Sequence, residues 1–465
     1  MRVQPTPGDP LPSSSTPDAV TVIGAGLAGS EAAWQLALRD IPVRLFEMRP
    51  STASPAHHTD ALAELVCSNS FKSLDAATAP GMLKREMEAL GSLIVAVARA
   101  TAVPAGAALA VDREAFSAMV TQVIESHPLI ELVRTEATSI PDGDVILATG
   151  PLTSPGIEPA ISALVGGDRL AFFDAAAPIV SADSIDMTVA FPASRYDKGE
   201  GADYINCPLN REQYDAFLAA LLTAERVIPK AFEQKDLFQA CQPIEEIARC
   251  GPDALRFGAM KPVGLTDPNT GERPWAVLQL RAENRALTAY NLVGCQTNLT
   301  FGEQRRIFSM IPGLQDAEFL RYGVMHRNTF VDAPRLLAPD LSVRTEPRVR
   351  IAGQLSGTEG YLEAAAGGIV AALSVIDARQ GSVSVPLPAD TALGSLIAYA
   401  TDPETTRYQP MHVNIGIMPP MPSVRSKRLR RAAVGDRAAA AIESYVALHA
   451  ETFAPARSAA EGIAP

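Results

Sequence analysis

After a proline- and serine-rich stretch at 1–18, the first strongly patterned segment is the apolar run Val20–Ile23, which stops at Gly24-Ala25-Gly26-Leu27-Ala28-Gly29. A helical pattern over 30–39 follows, and then a second apolar run at 43–47 that ends on Glu47. Apolar runs recur at 144–150, closed by Gly150 and halted by Pro151, and at 349–352. The last of these leads through a turn from Gly353 to Gly360 into a small-residue helix over about 362–376. Continuous apolar runs of this length fit parallel strands covered on both faces. Strand, glycine turn and helix at both ends of the chain predict an α/β fold with a Rossmann-like domain that is discontinuous in sequence.

The middle is patterned differently. Short β-like runs at 179–180, 188–191 and 276–280 alternate with an amphipathic helix near 211–226 and with turn signals such as 267–271. This predicts an inserted α+β domain. The expected organisation is a flexible tail at 1–18, a nucleotide-binding domain in two parts at 19–174 and 321–400, an inserted substrate domain at 175–320, and a helical, basic segment at 401–465.

The 465 residues are 47% hydrophobic and 20% charged, so the chain can bury a large core and holds about two or three domains of ordinary size. A formal net charge of −12 argues against a surface that attracts polyanions throughout. It leaves room for a local patch, and 425–431 places five cations in seven residues. A second candidate patch is Arg321, Arg327 and Arg335 near Tyr322 and His326. Five cysteines with no C-x-x-C pair exclude a disulfide scaffold or a zinc ribbon. The six histidines show no metal-ligand spacing, and His57-His58 reads as part of a solvated loop. The longest apolar stretch noted, 91–111, is broken by Arg99 and Pro104, and the N-terminus has no apolar core. A cytoplasmic protein without metal or membrane is the expectation.

The G-x-G-x-x-G turn fits a pyrophosphate at a helix N-terminus, where free N–H groups and the helix dipole favour negative charge. Glu47, 18 residues beyond Gly29, is placed to accept from ribose hydroxyls. Together with Ala148-Thr-Gly150 and the late glycine turn, this arrangement resembles the glutathione-reductase-like flavoproteins, which implies FAD. The expected cofactor contacts are Gly24, Ala25, Gly26, Leu27, Ala28, Gly29, Glu47, Gly150, Gly353, Gln354 and Gly360. Cys67, followed by polar residues and Lys72, has neighbours that could support a thiolate. Cys241 precedes Gln242 and Pro243, which suggests a loop. Composition alone does not choose among these and Cys207, Cys250 and Cys295.

Longer words extend the resemblance. They include Glu47-Met-Arg-Pro50, 63–73 around Cys67, 103–106, 110–113, 148–154, 183–187, 194–199, 203–208, 255–258, 260–265, 296–299, 322–329 and Gly353-Gln354. From about 20 to 435 the chain resembles the folate- and FAD-dependent tRNA (uracil-5-)-methyltransferases, the TrmFO family. The resemblance implies transfer of a one-carbon unit from 5,10-methylenetetrahydrofolate to C5 of the T-loop uracil at tRNA position 54, with NADH or NADPH re-reducing FAD. It matches Cys241 and Cys67 to the family's two catalytic cysteines, Cys241 as nucleophile and Cys67 as the proton-handling partner. Tyr361 and 296–299 are expected near the pterin. The partner is the tRNA T-arm, with no obligate protein partner and a monomeric chain expected. Three other readings remain: the related flavoprotein that modifies wobble uridines, a generic FAD oxidoreductase, and a catalytically silent flavoprotein that only binds or chaperones RNA.

Overall fold

The computed structural model describes residues 18–463 apart from 53, 55, 167–168, 176, 198–201, 228–241, 382–385, 406–407, 422–423 and 425. The first core surrounds a six-stranded sheet in the order Ser342–Val343, Glu346–Ile351, Val145–Leu147, Val20–Ile23, Val43–Phe46, Ile130–Val133. Four pairings are parallel, and only the edge pair of Ser342–Val343 with Glu346–Ile351 is antiparallel. Val20, Val22, Leu45, Val145, Ile146, Leu147, Val349 and Ile351 are essentially excluded from water, which explains the unbroken apolar runs. Segments more than 300 residues apart in the chain therefore complete one sheet, as the pattern at both ends predicts.

Helix Leu27–Ala37 packs against helix Tyr361–Arg379. Their backbones approach so closely that a Cβ on Gly368 would lie 2.2 Å from the Ala28 carbonyl oxygen. Tyr361–Arg379, the small-residue helix expected at 362–376, is itself long and apolar enough to cross a bilayer, and it lies buried in this core. The 91–111 region is instead broken into helix Leu93–Ala100 and strands Ala102–Val103 and Ala108–Val111. The C-terminal helices Lys427–Leu448 and Ala450–Glu461 add Val434, Ala438, Ile442 and Phe453 to the same core.

The second core belongs to an antiparallel sheet in the order Phe191–Pro192, Tyr204–Leu209, Ala276–Ala282, Ala289–Leu292, Ile179–Ser181, Phe319–Arg321. Strand Ala276–Ala282 is buried along its whole length, and period-2 alternation separates its two faces. Leu278 and Leu280 join the second core with Phe217, Ile244 and Phe308, while Gln279 and Arg281 face the other way. The run at 188–191 is a strand only at Phe191–Pro192, because the Asp186 carboxylate accepts from the N–H and hydroxyl of Thr188 and makes a turn there. The predicted 211–226 helix ends at Thr223, and Arg226 leaves it to bridge to Leu299. A ribbon of Arg169–Ala175 and Met325–Val331 runs between the two sheets in sequence.

Candidate active site

Strand Val20–Ile23 ends at the carboxyl edge of the parallel sheet, where ligands of open α/β sheets bind. A cleft opens there with about 1020 Å³ of empty space, open solvent included. Gly24, Ala25, Gly26, Leu27, Ala28, Glu47, Gly150, Gly353 and Gln354 all line it. Gly29 lies behind the turn, where a Cβ would come 1.7 Å from the Gly24 carbonyl oxygen, and Gly360 borders a separate hollow with Lys72, His412 and Arg431. A Cβ on Gly26, by contrast, would meet nothing within 4 Å. Gly26 also caps helix Leu27–Ala37 without a side-chain bond, so the amides of the first turn are left for a ligand.

Glu47 is fixed at the far side of this turn. Its carboxylate accepts from the Ala25 N–H at 3.2 Å and from the Arg49 Nε at 2.7 Å. Burial pushes the carboxyl up, but the hydrogen bond and charge of Arg49 outweigh it and hold the group below its ordinary range. Arg49 also bonds Glu64 at 3.1 Å, three residues before Cys67. One guanidinium thus ties the nucleotide turn to the thiol-bearing loop.

That loop is clamped from four directions. The backbone N–H groups of Cys67 and Ser68 donate to the Tyr361 hydroxyl at 2.8 and 3.0 Å. Arg113 donates to the Leu65 carbonyl and is itself held by Glu283 at 2.7 Å. Arg321 reaches the Val66 carbonyl at 2.5 Å, and Arg281 bonds Asn69 at 2.9 Å and Ser68 at 3.1 Å. Arg281 and Arg321 come from the second sheet, so Cys67 sits where the two sheets meet. All three guanidiniums interact electrostatically with Cys67. Tyr361 also lines the nucleotide cleft, and its phenol is pushed up chiefly by burial.

Residues 19–382 match the profile of the family described as Glucose inhibited division protein A. The methylenetetrahydrofolate–tRNA-(uracil-5-)-methyltransferase TrmFO of Heliobacterium modesticaldum is 53% identical over 430 residues, covering 92% of this chain and 98% of that protein. The chain belongs to the TrmFO family. The TrmFO protein of Moorella thermoacetica is 54% identical over 415 residues, or 89% of this chain and 95% of that one. Aquifex aeolicus GidA shares the fold at 17% identity, with a TM-score of 0.68 over 95% of this chain and 75% of that one.

Within this TrmFO-family chain several sequence expectations need correction. Lys72 does not serve Cys67, because its ammonium pairs with the fully buried Glu363 at 2.7 Å. His57 is not part of a solvated loop but lines the nucleotide cleft, and desolvation, then the Arg49 charge, lowers its pKa to about 4. His58 beside it is exposed. Of the expected Arg321, Arg327 and Arg335 patch, Arg321 reaches the Val66 carbonyl, and exposed Arg335 pairs with Asp332 at 3.3 Å. The side chains of Arg327 and His326 lie outside the described ones.

Cys207 and Cys295 are buried in the second core, where desolvation raises both thiols, Cys207 to about 12, and Cys250 is exposed. Cys241 lies outside the described residues, as does Arg425. The chain on both sides of Cys241 is pinned to 296–299. The Val227 N–H donates to the Asn298 carbonyl at 2.9 Å, and the Ile244 N–H to the Gln296 carbonyl at 2.7 Å. Gln354 donates to Glu359 at 2.7 Å from its place beside the cleft.

Proposed function

We propose that this chain transfers a one-carbon unit from methylenetetrahydrofolate to C5 of the T-loop uracil at tRNA position 54, giving 5-methyluridine. The observation that carries the reading is the placement of Cys67, held by a tyrosine that lines the nucleotide cleft and by arginines from the neighbouring sheet. The cleft fits FAD on this chain's own features: the open space at Gly26, the free amides of the helix, and a carboxylate kept ionised at Glu47. Gly24, Gly26 and the first helical amides would hold its pyrophosphate, Glu47 its ribose, and Gly353 and Gln354 the end nearer the flavin ring. FAD, when bound, supplies the hydride equivalents that turn the transferred carbon into a methyl group, with NADH or NADPH as their source.

The side chains account for the remaining steps. Uracil C5 is a poor nucleophile until a thiolate adds at C6 and makes the ring an enolate. Cys241 is the proposed attacking sulfur, on a stretch whose two flanks share one anchor at 296–299. Cys67 is the proposed group that takes the C5 proton, after which the first sulfur departs. A uracil enolate set against the Cys67 loop meets the positive field of Arg113, Arg281 and Arg321, which favours charge on the enolate oxygen.

The deciding experiment is methylation of a T-arm transcript with and without methylenetetrahydrofolate, with the product nucleoside identified. The expected result is 5-methyluridine only when the folate is present. Modification of an anticodon-arm transcript instead, or NAD(P)H turnover indifferent to folate and RNA, would refute the reading. Arg428, Arg430 and Arg431 are exposed at the start of helix Lys427–Leu448. Neutralising all three is expected to raise KM for tRNA and to lower the dependence of log KM on log salt by roughly one unit per lost phosphate contact. An unchanged slope would remove this helix from the RNA surface.

A further inference from the structure

The second sheet carries an aromatic array that the steps above leave unused. Phe301 opens helix Phe301–Phe308 and is 53% exposed. Its ring stacks on Tyr322 with centroids 4.8 Å apart and planes at 16°, and Tyr322 stacks on Phe319 at 5.3 Å and 9°. Among the described residues these are the near-parallel aromatic pairs. The core pairs Phe71–Phe116 and Phe217–Phe308 tilt at 53° and 43°, as packed interiors commonly do.

The array is held rigidly. Gln304, fully buried one turn into the helix, donates to the carbonyls of Leu299 and Gly323 at 2.8 Å each and accepts from the Gly323 N–H at 2.8 Å. This bond set fixes the Phe301 helix to the turn that follows Tyr322. Arg321, between Phe319 and Tyr322 in sequence, is the residue that grips Val66 beside Cys67. Thr300, just before Phe301, donates from its N–H to the Glu225 carbonyl and continues the 296–299 anchor. Arg305 is exposed one turn beyond Phe301 on the same helix face.

We propose that Phe301, backed by Tyr322 and Phe319, is a platform on which an unpaired RNA base flanking the target uracil stacks, with Arg305 facing its phosphate. The inference rests on the RNA reading above. A preformed stack with an open outer ring extends by one planar base without reorganising, and aromatic platforms accept bases with little regard to sequence. Single-stranded loop bases, unlike bases in a duplex, present free faces for this contact.

The test uses the flavin-loaded protein and two RNA probes of equal phosphate number, a T-arm stem-loop and a blunt duplex, at one salt concentration. Phe301→Ala is expected to raise Kd and KM for the stem-loop about tenfold, with kcat changed far less and duplex binding unaltered. Phe301→Trp is expected to restore stem-loop affinity and to lose indole fluorescence when the stem-loop binds. Equal weakening towards both probes, unchanged stem-loop affinity, or a raised KM for methylenetetrahydrofolate alone would overturn the platform. If the wild-type protein methylates the stem-loop while Phe301→Ala matches it, the platform fails and the functional reading stands. If the wild-type protein makes no 5-methyluridine, both fail together.

Discussion

Converting Cys67 to alanine is expected to cut 5-methyluridine formation by roughly 10²–10⁴-fold, the range for removing a positioned proton-transfer group, while the protein stays yellow. The loop around it should survive, because clamps run to the backbone of residues 65–68 and to the side chains of Ser68 and Asn69. If Cys67 handles the C5 proton and Cys241 attacks C6, their variants fail differently. Cys67→Ala still forms a covalent adduct with 5-fluorouracil T-arm RNA, whereas Cys241→Ala forms none. Peptide mapping of the adduct reads this directly, and attachment at Cys207, Cys250 or Cys295 would refute the pair. Cys250→Ser, at an exposed position, serves as the silent control. Full activity in Cys67→Ala would remove the thiol from the mechanism.

Gly29→Ala and Gly26→Ala are expected to separate fold from cradle. At Gly29 the new methyl would meet backbone at 1.7 Å, so strand, turn and helix must move apart. Overpacking typically costs about 1–3 kcal/mol, and a clash against main chain with no flexible end to yield belongs at or above the top of that range. Gly29→Ala should therefore lose thermal stability even without flavin and should purify colourless. Gly26 has φ −73, which any residue adopts, and a Cβ there touches no protein atom. Gly26→Ala should melt like the wild-type apoprotein yet bind FAD about tenfold or more weakly, since the methyl occupies space a pyrophosphate needs. Unchanged flavin affinity in Gly26→Ala would mean that no ligand approaches this turn.

The nucleotide cleft was legible because its determinants are local. Strand, turn and helix at Val20–Ile23 and Leu27–Ala37 announce themselves within twenty residues, and buried parallel strands read as apolar runs. The surroundings of Cys67 were not legible. The arginine clamps on its loop span 48, 213 and 255 residues, from Arg113 to Leu65, Arg281 to Ser68 and Arg321 to Val66. No periodicity reports contacts of that separation. The nearest cation in sequence misled: Lys72 sits at φ +65 in an irregularly paired strand and turns to Glu363. The alternation of Leu278 and Leu280 with Gln279 and Arg281 was the one available signal that this strand has a second, polar face with a task. Arg113 was already visible within the word at 110–113, but its role needed Glu283 beside it.

The split ownership of the Cys67 loop has a practical consequence. The elements proposed to hold pigment all belong to the first core, whereas Arg281 and Arg321, which hold the loop that carries Cys67, belong to the second sheet. On the proposed role of Cys67, lesions in that sheet silence the protein without bleaching it. Absorbance at the flavin band counts loaded molecules, and only a titration of reactive sulfur counts competent ones.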